Sequence, residues 1–294
     1  MEVAEGALAL AGREPHGHPP SMRRFFLLVV ILRLLSLPSN GGASSLPPEA
    51  AGLYQKAQET GRFFATAAKL NPEIRPTTDG KSFLLIWKGS AAPQRWIVSL
   101  HGAGKPARGF ATDDLAIWHP HLQDRAVGLV CLQWWLGTGD GSRDFLTPEQ
   151  IYREIDRVLQ SLGVGPNTAM LHGFSRGSAN SYAVAALDAG RGKRYFALNV
   201  ASSGGVALDY PPNRALLAGT FGERPLTGTR WITVAGARNP QPDRDGIAGM
   251  KRTADWLKEQ GAIIVESIED PSSGHGALHL NPQNARRVLD LFLQ

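Results

Sequence analysis

The sequence predicts an α/β fold, a doubly wound and mostly parallel sheet flanked by helices, and three observations carry that prediction. Seven short β-rich runs, at 83–87, 96–100, 127–132, 168–171, 196–200, 231–235 and 263–268, alternate with helical patterns. Most of these runs are apolar on consecutive positions rather than every second one, as in strands buried on both faces. No internal repeat, low-complexity tract or linker interrupts the alternation, so one domain follows.

Each element has local causes. Residues 49–70 follow Pro47 and Pro48 with helical spacing, placing Leu53, Ala57, Phe64 and Ala67 on one face. At 147–162 the ends are explicit: Thr147 as N-cap, Pro148 at the first helical position and Gln150 at the third form a capping box, Ile151, Ile155, Val158, Leu159 and Leu162 make the apolar stripe, and Gly163 ends the helix. Residues 250–260, closed by Gly261, and 281–293 read as two more helices.

Composition bounds the rest. The chain has 294 residues, 43% hydrophobic and 19% charged, enough for a substantial core. Cys131 is the sole cysteine, which excludes an intramolecular disulfide and a cysteine-based metal cluster. The net charge of +5 comes without a clustered Lys/Arg run, so nucleic acid is not an expected partner. From Met22 the chain runs Arg23, Arg24, an apolar stretch interrupted by Arg33, then small residues to Ala43, the pattern of a secretory signal peptide. The stretch is too short for a bilayer span, so the expectation is a secreted or periplasmic protein with no stable membrane anchor. Residues 1–21 precede an alternative start at Met22. On this division 1–43 is a lead and signal segment and 44–294 the folded domain.

In such sheets reactive groups gather at the carboxyl ends of the strands. The 168–171 run leads into Gly173-Phe174-Ser175-Arg176-Gly177, a G-x-S-x-G on a strand, a tight turn and then a helix, which presents Ser175 as a nucleophile. A serine needs a base. His275, between Gly274 and Gly276 past the last strand, is the candidate, with His279 as the fallback. The base needs a carboxylate to fix its tautomer, and chain order places it in 236–245. Asp243 is preferred there, with Asp245 and then Asn239 as alternatives. His101-Gly102-Ala103-Gly104 follows the 96–100 strand, and the backbone N–H groups of Ala103 and Arg176 are the expected oxyanion donors. Trp134 and Trp135, after the 127–132 strand, either wall a substrate pocket or pack as buried aromatics. His119 and His121 have a ligand-like spacing without a visible third ligand. Neither Gly102-Ala103-Gly104-Lys105-Pro106 nor 137–141 matches a nucleotide-binding loop, so no cofactor is implied.

In this order the oxyanion turn, the elbow, the acid loop and Gly274-His275-Gly276 resemble the α/β-hydrolase superfamily over roughly residues 81–294. With the leader, the compact form is similar to secreted esterases of the feruloyl-esterase and polyhydroxyalkanoate-depolymerase type. The resemblance implies a carboxylic ester hydrolase acting on a small-molecule or polymeric ester, with no large lid. Many relatives carry Asp three residues after the glycine that ends the acid strand, where this chain has Asn239. A serine peptidase and a non-catalytic binding protein are the competing readings.

Overall fold

The computed structural model describes residues 45–89, 92–103, 109–190 and 192–294. The leader at 22–43 and Gly104 of the oxyanion turn lie outside them. The described residues form an α/β-hydrolase fold: an eight-stranded sheet in the order β1-β2-β4-β3-β5-β6-β7-β8 with helices against it. Its strands are β1 (Glu73–Pro76), β2 (Phe83–Trp87), β3 (Arg95–Leu100), β4 (Val127–Leu132), β5 (Ala169–Phe174), β6 (Phe196–Ser202), β7 (Arg230–Gly236) and β8 (Ile263–Asp270). Pairing is antiparallel at β1–β2 and β2–β4 and parallel from β4 onward.

All seven predicted runs are strands, and β3, β4 and β5 are buried almost throughout. The eighth, β1, carries Glu73 and Arg75 and ends on Pro76, a composition tolerated at a sheet edge. The predicted 49–70 helix is two, α1 (Pro48–Thr60) and α2 (Phe64–Ala68), because the chain turns extended at Gly61. The 147–162 prediction corresponds to α4 (Pro148–Ser161), with both arms of the Thr147–Gln150 capping box formed. The remaining helices are α3 (Ala111–Trp118), α5 (Arg176–Gly190), α6 (Pro211–Leu217), α7 (Ile247–Glu259), α8 (Ala277–Leu280) and α9 (Pro282–Leu293). Among the described residues no helix is long and apolar enough to cross a membrane.

Candidate active site

Strand β5 ends at Phe174 and α5 starts at Arg176, so a single residue makes the turn. Ser175 makes it with φ of 54°, a left-handed conformation that costs a non-glycine residue energy and lifts its hydroxyl off the sheet. Its N–H donates to Ser202 O at 2.8 Å, which pins the turn to β6. Gly177 is obligatory for contact, since a Cβ there would lie 2.1 Å from Leu100 O. The head of α5 therefore sits directly on the end of β3, where the turn at His101 begins. The Arg176 N–H is among the first N–H groups of that helix and has no intrahelical acceptor, and Ala103 lines the same cleft as Ser175.

His275 comes from the loop after β8, and its Nε2 lies 2.9 Å from Ser175 Oγ. Its ring packs on Phe174 at 5.1 Å between centroids. The loop is tied at both ends by Asp270, a buried carboxylate at the end of β8 that sequence reasoning missed. Asp270 Oδ1 accepts from Ser272 N, Ser272 Oγ and Ser273 N, and Oδ2 accepts from Ser273 Oγ, Asn281 Nδ2 and Asn284 Nδ2, all at 2.7–3.0 Å. The signal for it was an acid followed by serines two and three residues on, the composition of a side-chain-capped turn. The loop then crosses the end of β7, where a Cβ on Gly236 would lie 2.2 Å from Gly274 O.

The acid position differs from the preferred assignment. Asp243 is exposed, and its backbone carbonyl accepts from Arg252 Nη2; no contact joins it to His275. Asp245 is buried, but both of its carboxylate oxygens are taken at 3.0 Å by Arg244 Nε and Nη2. The residue at His275 Nδ1 is Asn239, buried, with Nδ2 at 3.1 Å. The chain turns at Asn239-Pro240 so that the Asn239 side chain points inward, whereas Asp243, four residues on, has already left the site. Removing the Asp243 carboxylate is therefore expected to be silent: Asp243→Asn should keep kcat/KM on a p-nitrophenyl ester within about twofold of the parent, as for other exposed positions.

Burial lowers the His275 pKa below the usual histidine value; the nearby Asp245 charge works against that shift and Arg244 adds to it. His279, the fallback base, packs on Phe174 and His172 instead of touching Ser175, and desolvation pushes its pKa down to about 3. Trp134 and Trp135 are buried and do not line the cleft. The Trp134 indole N–H donates to His101 O at 3.0 Å and its backbone N–H to His101 Nε2 at 3.3 Å, while the Trp135 indole donates to Thr138 O at 2.6 Å. They brace the end of β4 and the backbone at His101 and Thr138. Desolvation holds His101 neutral, at a pKa of about 4, in that arrangement.

Asp114, His172 and His279 bring one potential ligand atom each within 4.8 Å of the others. A metal does not fit them. The Trp118 indole N–H donates to His172 Nδ1 at 3.2 Å, so the neutral ring carries its proton on Nε2 and neither nitrogen has a lone pair to give. Ser99 Oγ, 2.8 Å from the same Nδ1, makes a second serine–histidine contact, but both residues are fully buried, away from any substrate.

Beside Ser175 opens a cleft of about 280 Å³. Its lining includes Asp140, Arg176, Asp209, Tyr210, Arg244 and Asp245, and among the described residues alanines are its only aliphatic side chains. Arg176 stacks on Phe145 at 4.4 Å and on Tyr210 at 5.8 Å, and its Nη1 donates to Asp140 O at 2.9 Å.

Solved structures share this fold at low sequence identity. A hyperthermophilic esterase from the archaeon Pyrobaculum calidifontis superposes with a TM-score of 0.56 at 16% identity, over 88% of this chain and 97% of its own. A thermophilic esterase from Thermogutta terrifontis gives 0.51 at 14%, over 76% and 89%, and a carboxylesterase from Mesorhizobium loti 0.50 at 16%, over 71% and 94%. No protein-family model matches the sequence. No curated protein matches it either.

Proposed function

We propose that the chain is a serine hydrolase that cleaves carboxylic esters through an acyl-enzyme. The observation that carries this reading is the 2.9 Å contact between His275 Nε2 and a Ser175 Oγ held on a left-handed turn at the head of a helix. Ser175 Oγ attacks the acyl carbon, and its proton passes to His275 whenever Nε2 is unprotonated. The oxyanion that forms accepts from the Arg176 and Ala103 N–H groups, close to the positive end of α5. His275 returns the proton to the departing alcohol. Water then attacks the acyl carbon by the same route and frees Ser175 Oγ. The esterase structures that share the fold support the reaction class, and the leader read at 22–43 supports an exported enzyme.

A fluorophosphonate probe tests the reading: one adduct on the Ser175 peptide, located by mass spectrometry, is the expected result, and no adduct on folded protein, in the parent or in an Asn239→Asp variant, would sink it. Within the reading, the cleft selects the substrate. Charged and phenolic groups offer nothing to a long alkyl chain, each buried methylene of which is worth about 0.8 kcal/mol in an apolar pocket. Short acyl groups on polar alcohols or hydroxyacids suit it, in keeping with the polyhydroxyalkanoate-depolymerase side of the resemblance. We expect kcat/KM for p-nitrophenyl acetate to exceed that for the octanoate by about tenfold or more; the reverse order would show that an apolar acyl site exists elsewhere.

A further inference from the structure

We infer that Asn239 holds His275, at rest, in the tautomer that cannot deprotonate Ser175, so that the site turns over through a minor form of its base. The inference rests on the reading of Ser175 and His275 as the reacting pair and follows from an account of donors and acceptors around one amide.

Asn239 has three polar contacts. Its Oδ1 accepts from Gln241 N–H at 3.0 Å, and its Nδ2 lies 2.9 Å from Asp245 O and 3.1 Å from His275 Nδ1. The two backbone contacts set the orientation of the amide. Turned over, the side-chain carbonyl would face the Asp245 carbonyl and the NH₂ group would face the Gln241 N–H, two like-with-like contacts in a buried place. The group at His275 Nδ1 is therefore NH₂, which has no lone pair to offer. Nδ1 must accept. A neutral imidazole that accepts at Nδ1 carries its proton on Nε2, and Nε2 is the atom facing Ser175 Oγ.

The consequence at the serine is a reversed hydrogen bond, in which Nε2–H donates and Oγ accepts. The base has no lone pair where the proton must go. The transition state is penalised as well, because the imidazolium that forms there carries N–H on both nitrogens and would point Nδ1–H at the Asn239 NH₂. A carboxylate at 239 removes both obstacles at the ring, at the cost of turning an oxygen toward the Asp245 carbonyl that Asn239 Nδ2 now satisfies. It accepts from Nδ1–H, frees Nε2 and balances the imidazolium charge. Among the described residues no other group takes that place: Asp245 reaches the site with its backbone carbonyl, while its carboxylate is occupied by Arg244. Asn239 is thus a positioning residue whose effect is opposite in sign to that of a triad acid.

Two measurements test this on the full chain. Long-range ¹H–¹⁵N correlation spectra read the tautomer directly, since an unprotonated ring nitrogen resonates well downfield of a protonated one. For His275, assigned by its loss in His275→Gln, unprotonated Nδ1 and protonated Nε2 are expected; the opposite pattern overturns the inference, whatever the activity. Asn239→Asp should invert that pattern and raise kcat on p-nitrophenyl acetate by about 10²–10⁴, the upper figure being the loss that the converse change causes in a working triad. A folded Asn239→Asp enzyme with unchanged or lower kcat also overturns it. If that variant does not fold, the spectrum of the parent protein decides alone. Fluorophosphonate labelling run beside both keeps the two readings apart: no labelling of either protein removes Ser175 as nucleophile, whereas labelling of Ser175 with a protonated Nδ1 removes only the role given to Asn239.

Discussion

Ser175→Ala is expected to abolish fluorophosphonate labelling in every background and to cost a rate factor that depends on residue 239. In a complete triad, loss of the serine costs about 10⁶ in kcat and loss of the acid alone about 10⁴, and the losses do not add, because the groups act as one unit. A chain with an amide at the acid position has already forfeited most of that unit. Ser175→Ala should therefore cost about 10²–10⁴ in the parent protein and about 10⁶ in an Asn239→Asp background, the ratio of the two losses matching the gain from Asn239→Asp. Stability should change by no more than about 1 kcal/mol, since the hydroxyl sits at the mouth of the cleft and alanine meets the same left-handed conformation. Rates on one ester for the four proteins, with thermal unfolding curves, provide the check. Equal losses in the two backgrounds would mean that residue 239 has no bearing on the base.

The second large effect is placed away from the reacting atoms. Asp270→Ala removes a carboxylate that accepts from six donors, most of them half-buried, of which only Asn284 Nδ2 keeps a second acceptor, Ala277 O. Hydrogen bonds to a charged group are worth about 1.5–3 kcal/mol each, and the network shares its losses, so a destabilisation of about 3 kcal/mol or more is expected. For a domain of this size that lowers Tm by roughly 6–12 °C. Activity should fall with it, by about 10², because the same contacts hold the loop that aims His275. The pH dependence has a definite sign. Burial would raise the Asp270 pKa, but the hydrogen bonds from Asn281, Ser272 and Ser273 outweigh burial and hold it well below the usual 3.8. A carboxyl with a depressed folded-state pKa contributes stability above its unfolded value that is lost as pH falls through the folded one. Melting curves of the parent should thus fall away below about pH 4, and those of Asp270→Ala should be flatter there. Parallel curves for the two proteins would remove Asp270 from that role.

How much of this was legible in the sequence follows from how local each cause is. The seven strands were readable because burial on both faces writes itself as consecutive apolar residues, and α4 because its cap residues meet each other across three positions. β1 escaped because an edge strand needs no such run. The elbow was legible as a motif, since Gly173 and Ser175 answer to demands within one turn: a Cβ on Gly173 would lie 2.5 Å from Gly177 O. The acid was not. A preference for Asp243 rests on residue type, yet the position at His275 Nδ1 is decided by which way the chain turns after β7, and Asn239 takes it by capturing the Gln241 N–H with its own carbonyl. That Asn-Pro-Gln turn is itself a local signal. Trp134 and Trp135 were ambiguous for the opposite reason, because the acceptors for their indoles lie on the oxyanion turn and on the Thr138 carbonyl, and spacing alone does not reveal them.

The bare end of β7 at Gly236 has a further meaning when measured against the sheet. Ser175 stands at the end of β5 and His275 is supplied from the end of β8, and neighbouring strands lie about 4.8 Å apart, so three intervals put their points of departure roughly 14 Å from one another. An imidazole reaches less than half of that. The backbone must travel the remainder, back over the tips of two intervening strands, and Gly236 is the stepping stone that leaves it headroom. The serine and its partner are thus joined by a bridge with one pier at Asp270 and its clearance at Gly236. A side chain added at 236 would lift the span, so the reach of the histidine depends on an atom that is missing from the chain.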